Sequence, residues 1–386
     1  MCREEPFRIF FPLGLASGVI GLALWPLFLA GVLPNYPGIM HARVMIEGFM
    51  AAFIFGFLGT AGPRLLSARN FTGVELGALI VLHLATLAAH LSARPTLGDA
   101  LFTAQIATFI AILGRRLIAR GDLPPPNFVL VGCGLLSGSL GSAIVAFTSA
   151  VPEWPRLHYF GALLLSHGFV LLPMLGVGVF LFPRFLGVPF GSELAELRVL
   201  TTWWKRKALL AAITALSIVA SFAVESVGFL REAGALRFLA VAAYVATQMP
   251  PVLKFGPAPF LGQCLRVAVW LLLLGLLWPV FLPAYRIAGL HLVFVGGFML
   301  TVFTVATRVI LGHSGQLHLC QQRLPFLLAT AVLLLIGLLA RIGADFMPSL
   351  AGRNSHLIWA AVLCIAGALV WGIRLVPRVF IPDAEE

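Results

Sequence analysis

Apolar runs of about twenty residues follow one another along almost the whole chain, separated by short segments where charges, prolines and glycines collect. A helix rising 1.5 Å per residue needs about 20 apolar residues to cross a hydrocarbon core of about 30 Å. Inside such a core every backbone amide has to be bonded within its own segment, which leaves helices as the spanning element for runs of this length. The pattern therefore predicts an all-α, polytopic membrane bundle of about twelve transmembrane helices, at 9–31, 44–62, 73–91, 97–117, 128–151, 158–182, 207–225, 235–253, 264–282, 287–311, 324–342 and 357–376. Twelve spans of that length use most of the 386 residues and leave no room for a soluble domain. The first run follows a short charged stretch, is long for a signal-peptide core and lacks a cleavage site, so it is read as a retained helix.

Charge placement gives the expected orientation. The formal charge of +11 would suggest nucleic acid in a soluble protein, but here the basic residues sit in short loops, the place of topology determinants and lipid-headgroup partners. No nucleic-acid partner is predicted. Of the 26 Lys and Arg, 18 fall on the side of the N-terminus. The positive-inside rule then puts both termini in the cytoplasm of a cell bounded by a bacterial inner membrane. The longest loop, 183–207, carries Arg184, Arg198, Lys205, Arg206 and Lys207 and divides the chain into two six-helix halves of one 1–386 transmembrane domain.

Charged and imidazole side chains are costly inside a bilayer, so each is a candidate for function. His41, His90, His158, His291 and His356 all fall at the outer ends of spans; His83 lies two turns below His90 on one face, and His167 lies mid-span. His158 and His167 are nine residues apart, half a turn out of phase, so a straight helix cannot aim both at one site. Neutral imidazoles from several helices are the ligands of haem and copper sites, and Met45, one turn after His41, offers a soft thioether. The candidate metal ligands are therefore His41, His167 and His291, followed by His83 and Met45. Each has a plainer reading as a hydrogen-bonded or packing residue. Arg43 and Glu47, spaced i,i+4, read as a same-face ion pair or as a propionate holder and a proton-transfer group. Arg308 is deep enough in its span to need a partner or to snorkel. Glycines such as Gly48, Gly56, Gly59, Gly296 and Gly297 read first as close helix packing. The five cysteines show no CxxC pairing, which argues against a disulfide framework or a thiolate zinc site. No phosphate-cradling loop, hydrolase nucleophile or HExxH helix is present.

Two stretches resemble the NnrS family of membrane proteins. One is PFRIFF at 6–11 with Trp25 and MHARVMIEGFMAAFIFGFLGTAGP at 40–63, similar to the family's first two helices with their HxHEM segment. The other is HLVFVGGFMLTVFTVATRVILGHSGQ at 291–316, similar to a TRxxLGHTGR stretch through Thr307, Arg308, Leu311, Gly312, His313 and Gly315. The resemblance implies a haem- and copper-containing protein, with the haem expected to be b-type, tied to nitric oxide metabolism, denitrification and nitrosative stress and fed by an electron donor that sequence does not identify. The chain departs from the pattern at Arg43 and Val44, where a histidine and a glutamate are expected, and at Ser314 and Gln316. Two other readings stay open: a transporter of a small solute or metal ion using Glu47, His83, Gln105 and Gln248, and a non-catalytic assembly partner of a terminal reductase.

Overall fold

The computed structural model describes residues 2–151, 153–188 and 199–382. Among the described residues, eleven helices are long and apolar enough to cross a membrane: α1 (Phe7–Leu29), α2 (Gly38–Leu65), α3 (Gly73–Leu91), α4 (Pro95–Ile118), α5 (Phe128–Ser149), α6 (Pro155–Phe185), α7 (Thr202–Ser226), α9 (Phe260–Phe281), α10 (Pro283–His313), α11 (Pro325–Ala344) and α12 (Leu350–Phe380). A twelfth long helix among the described residues, α8 (Leu230–Gln248), packs antiparallel between α7 and α9. It falls short on apolarity because Arg231, Glu232 and Arg237 lie within its first eight residues. Arg237 is buried and answered there, donating to Glu225 Oε2 at 2.5 Å and Ser221 Oγ at 3.0 Å, with its guanidinium 4.7 Å from the Phe222 ring centre. A charge that is paired inside the bundle does not need water, so the segment remains a rod among the spans.

Contacts between helices repeat with a period of four. α1 packs on α2, α5 on α6 and α9 on α10; α3 packs on α4, α7 on α8 and α11 on α12; and α4 meets α5, α8 meets α9 and α12 returns to α1. The helices thus form a closed ring of three four-helix sets, and the second helix of each set, α2, α6 and α10, is among the most buried. Part of the 183–207 loop lies outside the described residues, and its flanks are helical: α6 continues to Phe185, and α7 starts at Thr202, capped by Thr201 Oγ1 accepting from Trp204 N at 3.1 Å. Lys205, Arg206 and Lys207 therefore sit on the first turns of α7.

Lipid removes much of the hydrophobic drive between helices, so packing has to come from close fit. Phe10, Phe55, Phe102, Phe109 and Phe169 are fully buried where α1, α2, α4 and α6 meet, with Phe55 and Phe109 rings 4.6 Å apart. Glycines supply the close approaches elsewhere. A Cβ on Gly141 of α5 would lie 2.5 Å from Leu165 N of α6, and one on Gly48 of α2 would lie 2.6 Å from Leu87 of α3.

At the end that holds the termini, Arg8 donates to the carbonyls of Val379 and Ile381, the latter at 2.6 Å, so both ends of the chain lie on one side. Glu5 pairs there with Arg8, with Arg64 at 2.9 Å and with His313, whose ring also lies 5.0 Å from Phe7. Much of the 291–316 motif works as a clasp of the same kind. Thr307 Oγ1 accepts from Trp371 Nε1 at 3.0 Å, and Gln316 Oε1 accepts from Arg378 Nε at 3.0 Å.

Candidate functional site

Each of α2, α6 and α10 contains a stretch of π-helix, over Val44–Met50, Leu164–Gly168 and Leu292–Met299. A wide turn of this kind is rare, inserts an extra residue, re-aims the side chains around it and recurs at functional sites. The histidines coincide with these turns. His41 precedes the first by three residues, His167 lies inside the second, and His291 immediately precedes the third.

All three histidines line one cavity of about 580 Å³ in the half of the bundle remote from the termini. Its volume is within the range of small-molecule and cofactor sites. The hydrogen bonds assign the tautomers. His41 Nδ1 lies 2.8 Å from the Gly21 carbonyl and His291 Nδ1 lies 2.8 Å from the Ile287 carbonyl, so each Nδ1 carries the proton and donates. His167 Nδ1 donates to Ser166 Oγ at 3.0 Å, since that hydroxyl spends its own hydrogen on the Ala162 carbonyl. In all three rings Nε2 keeps its lone pair, and the bond at Nδ1 fixes ring orientation and raises basicity, as in metal-ligating histidines. Met45 also lines the cavity, with its sulfur against Gly21, where a Cβ would be 2.8 Å from it.

Charge on the wall is uneven. Arg237, Arg286, Arg341 and Arg353 line the cavity together with one carboxylate, Glu225. Arg237 is answered by Glu225 and Arg341 by Asp345 at 2.8 Å. Arg286 donates to Tyr159 Oη at 2.7 Å and Arg353 stands at the rim; among the described residues neither has a carboxylate partner. The cavity therefore carries two uncompensated positive charges.

The other candidates lie elsewhere. Arg43 Nε is 2.6 Å from Asp99 Oδ1 and 3.6 Å from Glu47 Oε1, and Glu47 Oε2 accepts from His90 Nε2 at 2.7 Å, a buried group between α2, α3 and α4 rather than on the cavity wall. His83 is buried further along α3, 3.3 Å from Gln105 Nε2, with its ring edge-on to Phe10. Gln248 accepts from Lys207 at the end that holds the termini, so it shares no site with His83 and Gln105. Arg308 lies with its guanidinium 5.1 Å from the Phe185 ring centre, in the half that holds the termini. His158 donates to or accepts from Thr148 Oγ1 at 2.9 Å and does not line the cavity; only His167 of that pair does.

Sequence reasoning missed Tyr159, Glu225, Arg237, Arg286, Arg341 and Arg353. The signal was available, because the side remote from the termini holds only 8 of the 26 basic residues. Four of those eight line the cavity. A basic residue on the basic-poor side is one that topology does not require.

The family model described as NnrS protein matches residues 2–382 of this chain. No curated protein matches it.

Proposed function

The chain belongs to the NnrS family, and from that membership and the cavity together we propose a haem-binding inner-membrane protein that handles nitric oxide. The observation that carries this reading is the set of three imidazoles, from α2, α6 and α10, that share one cavity with Nδ1 tied down and Nε2 free. The residues fit a haem. The volume suits a group of that size, the ligand type suits iron, and Arg286 and Arg353, which have no carboxylate partner among the described residues, match the two propionates. His41, His167 and His291 are the residues that would hold the haem or a small guest beside it.

A bound haem supplies an iron that exchanges electrons and takes small diatomic ligands. The chain's own part is separate. Gly21 and Ile287 carbonyls hold the imidazoles of His41 and His291 in the ligating tautomer, Arg286 and Arg353 anchor negative charge at the rim, and the apolar wall formed by Leu22, Ile46, Val293 and Phe294 excludes water. A copper ion held by the three cavity histidines fits less well, because among the described residues these nitrogens do not converge within 4.8 Å of one another. The cavity suits a group that spans it.

With the basic-rich side taken as cytoplasmic, the cavity faces the outer half of the membrane, where an apolar gas arrives directly through lipid. The test is an ultraviolet–visible spectrum of detergent-purified protein, oxidised, reduced and with nitric oxide. A Soret band that shifts with nitric oxide, and changes in His41→Ala, in His167→Ala or in His291→Ala, is the expected result. Protein that stays colourless after haem supplementation would overturn the reading and favour transport.

A further inference from the structure

The group between α2, α3 and α4 has no part in the cavity. Glu47, His90 and Asp99 are each at most 2 % exposed. One ligand atom from each lies within 4.8 Å of the other two, and three different helices supply them. Their positions are built in. The π-helical turn of α2 contains Glu47, and Gly98 makes room for the imidazole of His90, since a Cβ there would lie 2.3 Å from His90 Cε1.

The group is incompletely satisfied by the protein. Glu47 Oε1, Asp99 Oδ2 and His90 Nδ1 have no hydrogen-bond partner although all are buried. Two carboxyl groups face a single guanidinium, that of Arg43, whose side chain at 10 % exposure is the least buried of the four. Buried polar atoms without partners are costly, and one bound cation would answer the carboxyl oxygens and the imidazole together. Two carboxylate oxygens and an imidazole nitrogen are also the donor set of divalent first-row ions, which bind such atoms at about 2.0–2.2 Å.

We propose that Glu47, His90 and Asp99 form a divalent metal site, separate from the cavity, for which Arg43 is the built-in competitor. Arg43 holds the same carboxylates that the ion needs. In the metal-free protein the guanidinium keeps Asp99 and Glu47 in place; when an ion enters, Arg43 moves towards the nearby aqueous end, where water answers its charge. Two carboxylates and a divalent ion leave the buried part neutral. The proposal stands or falls without the haem reading, because no residue of the group lines the cavity.

Zn²⁺ is the probe. Full-length protein purified in detergent is stripped with chelator, titrated with Zn²⁺ by calorimetry and assayed for bound metal after desalting. One Zn²⁺ per chain is expected in the parent protein, with binding lost in Glu47→Gln, Asp99→Asn and His90→Gln and kept in His41→Ala, His167→Ala and His291→Ala. Arg43→Gln separates a metal site from a structural ion pair: removing a competing charge a few ångströms away should tighten Zn²⁺ binding by about tenfold or more. Thermal unfolding of each variant without metal shows whether loss of binding is loss of fold. If Glu47→Gln and Asp99→Asn fail to fold, the Arg43→Gln titration decides alone. Unchanged or weaker Zn²⁺ binding in Arg43→Gln, no bound Zn²⁺ in either protein, or binding that disappears with the cavity histidines instead, would overturn the proposal.

Discussion

Tyr159 donates its hydroxyl hydrogen to Glu225 Oε1 across 2.5 Å and so ties α6 to α7 on the cavity wall. The same hydroxyl accepts from Arg286 Nη1 of α10, while the second oxygen of Glu225 accepts from Arg237 of α8. One phenol thus links four helices drawn from two of the three four-helix sets. Tyr159→Phe keeps the ring and removes both bonds, leaving one oxygen of Glu225 without its short donor. The expected cost is about 1–3 kcal/mol, the usual penalty for stranding a largely buried polar group. A lowered unfolding temperature in detergent checks it, and a second substitution, Glu225→Gln, should cost less in the Tyr159→Phe background than alone.

Most of the fold is legible in the sequence because its cause is local. A run such as 128–151 has to be a helix wherever it lies in a bilayer, whatever surrounds it. The segment Leu230–Gln248 shows the limit: Arg237 reads as an interruption until Glu225, twelve residues earlier on another helix, is seen to answer it. The period of four helices is invisible for a similar reason, since it resides in which helices touch rather than in recurring letters. At the site, the histidines stood out because an imidazole in an apolar run asks for an explanation; spacing showed that His158 and His167 cannot share a site, and depth favoured His167, the one of the pair that lines the cavity. Spacing could not show that Glu47 and Arg43 look away from the cavity towards Asp99 and His90 on other helices, nor that Arg341 and Arg353 look into it.

Close helix approach is the part of the fold most exposed to a small change. At Gly141 an added Cβ would meet backbone, 2.5 Å from Leu165 N and 2.7 Å from the Gly161 carbonyl, and backbone cannot swing aside as a side chain can. Gly141→Ala should force α5 and α6 apart next to the π-helical turn that carries His167, lowering the unfolding temperature clearly. Gly114→Ala, where a Cβ meets nothing within 4 Å, is the matched control and should be neutral or slightly stabilising. Equal effects of the two substitutions would show that close α5–α6 packing is not what Gly141 provides.

His313 belongs to the end of the bundle that holds the termini, paired with Glu5 and packed on Phe7. His313→Ala should therefore lower stability by only about 1 kcal/mol, because Glu5 keeps Arg8 and Arg64 as partners, while leaving the spectrum of any group in the cavity unchanged. Thermal melts and spectra recorded on the same preparation separate the two effects. A changed Soret band in this variant would place the cofactor at the wrong end of the molecule.

The charge count of the cavity makes a sharper demand on the ligand. Arg237 and Arg341 are already answered by Glu225 and Asp345, so Arg286 and Arg353 are the two cations left for a guest. Guanidiniums grip carboxylates through parallel hydrogen bonds, but at an exposed rim such a contact is worth only about 1 kcal/mol apiece. Arg353→Gln and Arg286→Gln should each weaken haem binding by up to about tenfold, and both together by the product of the two. Haem dimethyl ester, which keeps the macrocycle and iron but loses both negative charges, should bind the parent protein about as weakly as haem binds the double variant. It should also be indifferent to the substitutions. Competitive titration followed at the Soret band measures all of these affinities. If the ester binds the parent protein as tightly as haem does, the two arginines serve some other anion, and the macrocycle would be held by the cavity histidines and the apolar wall alone.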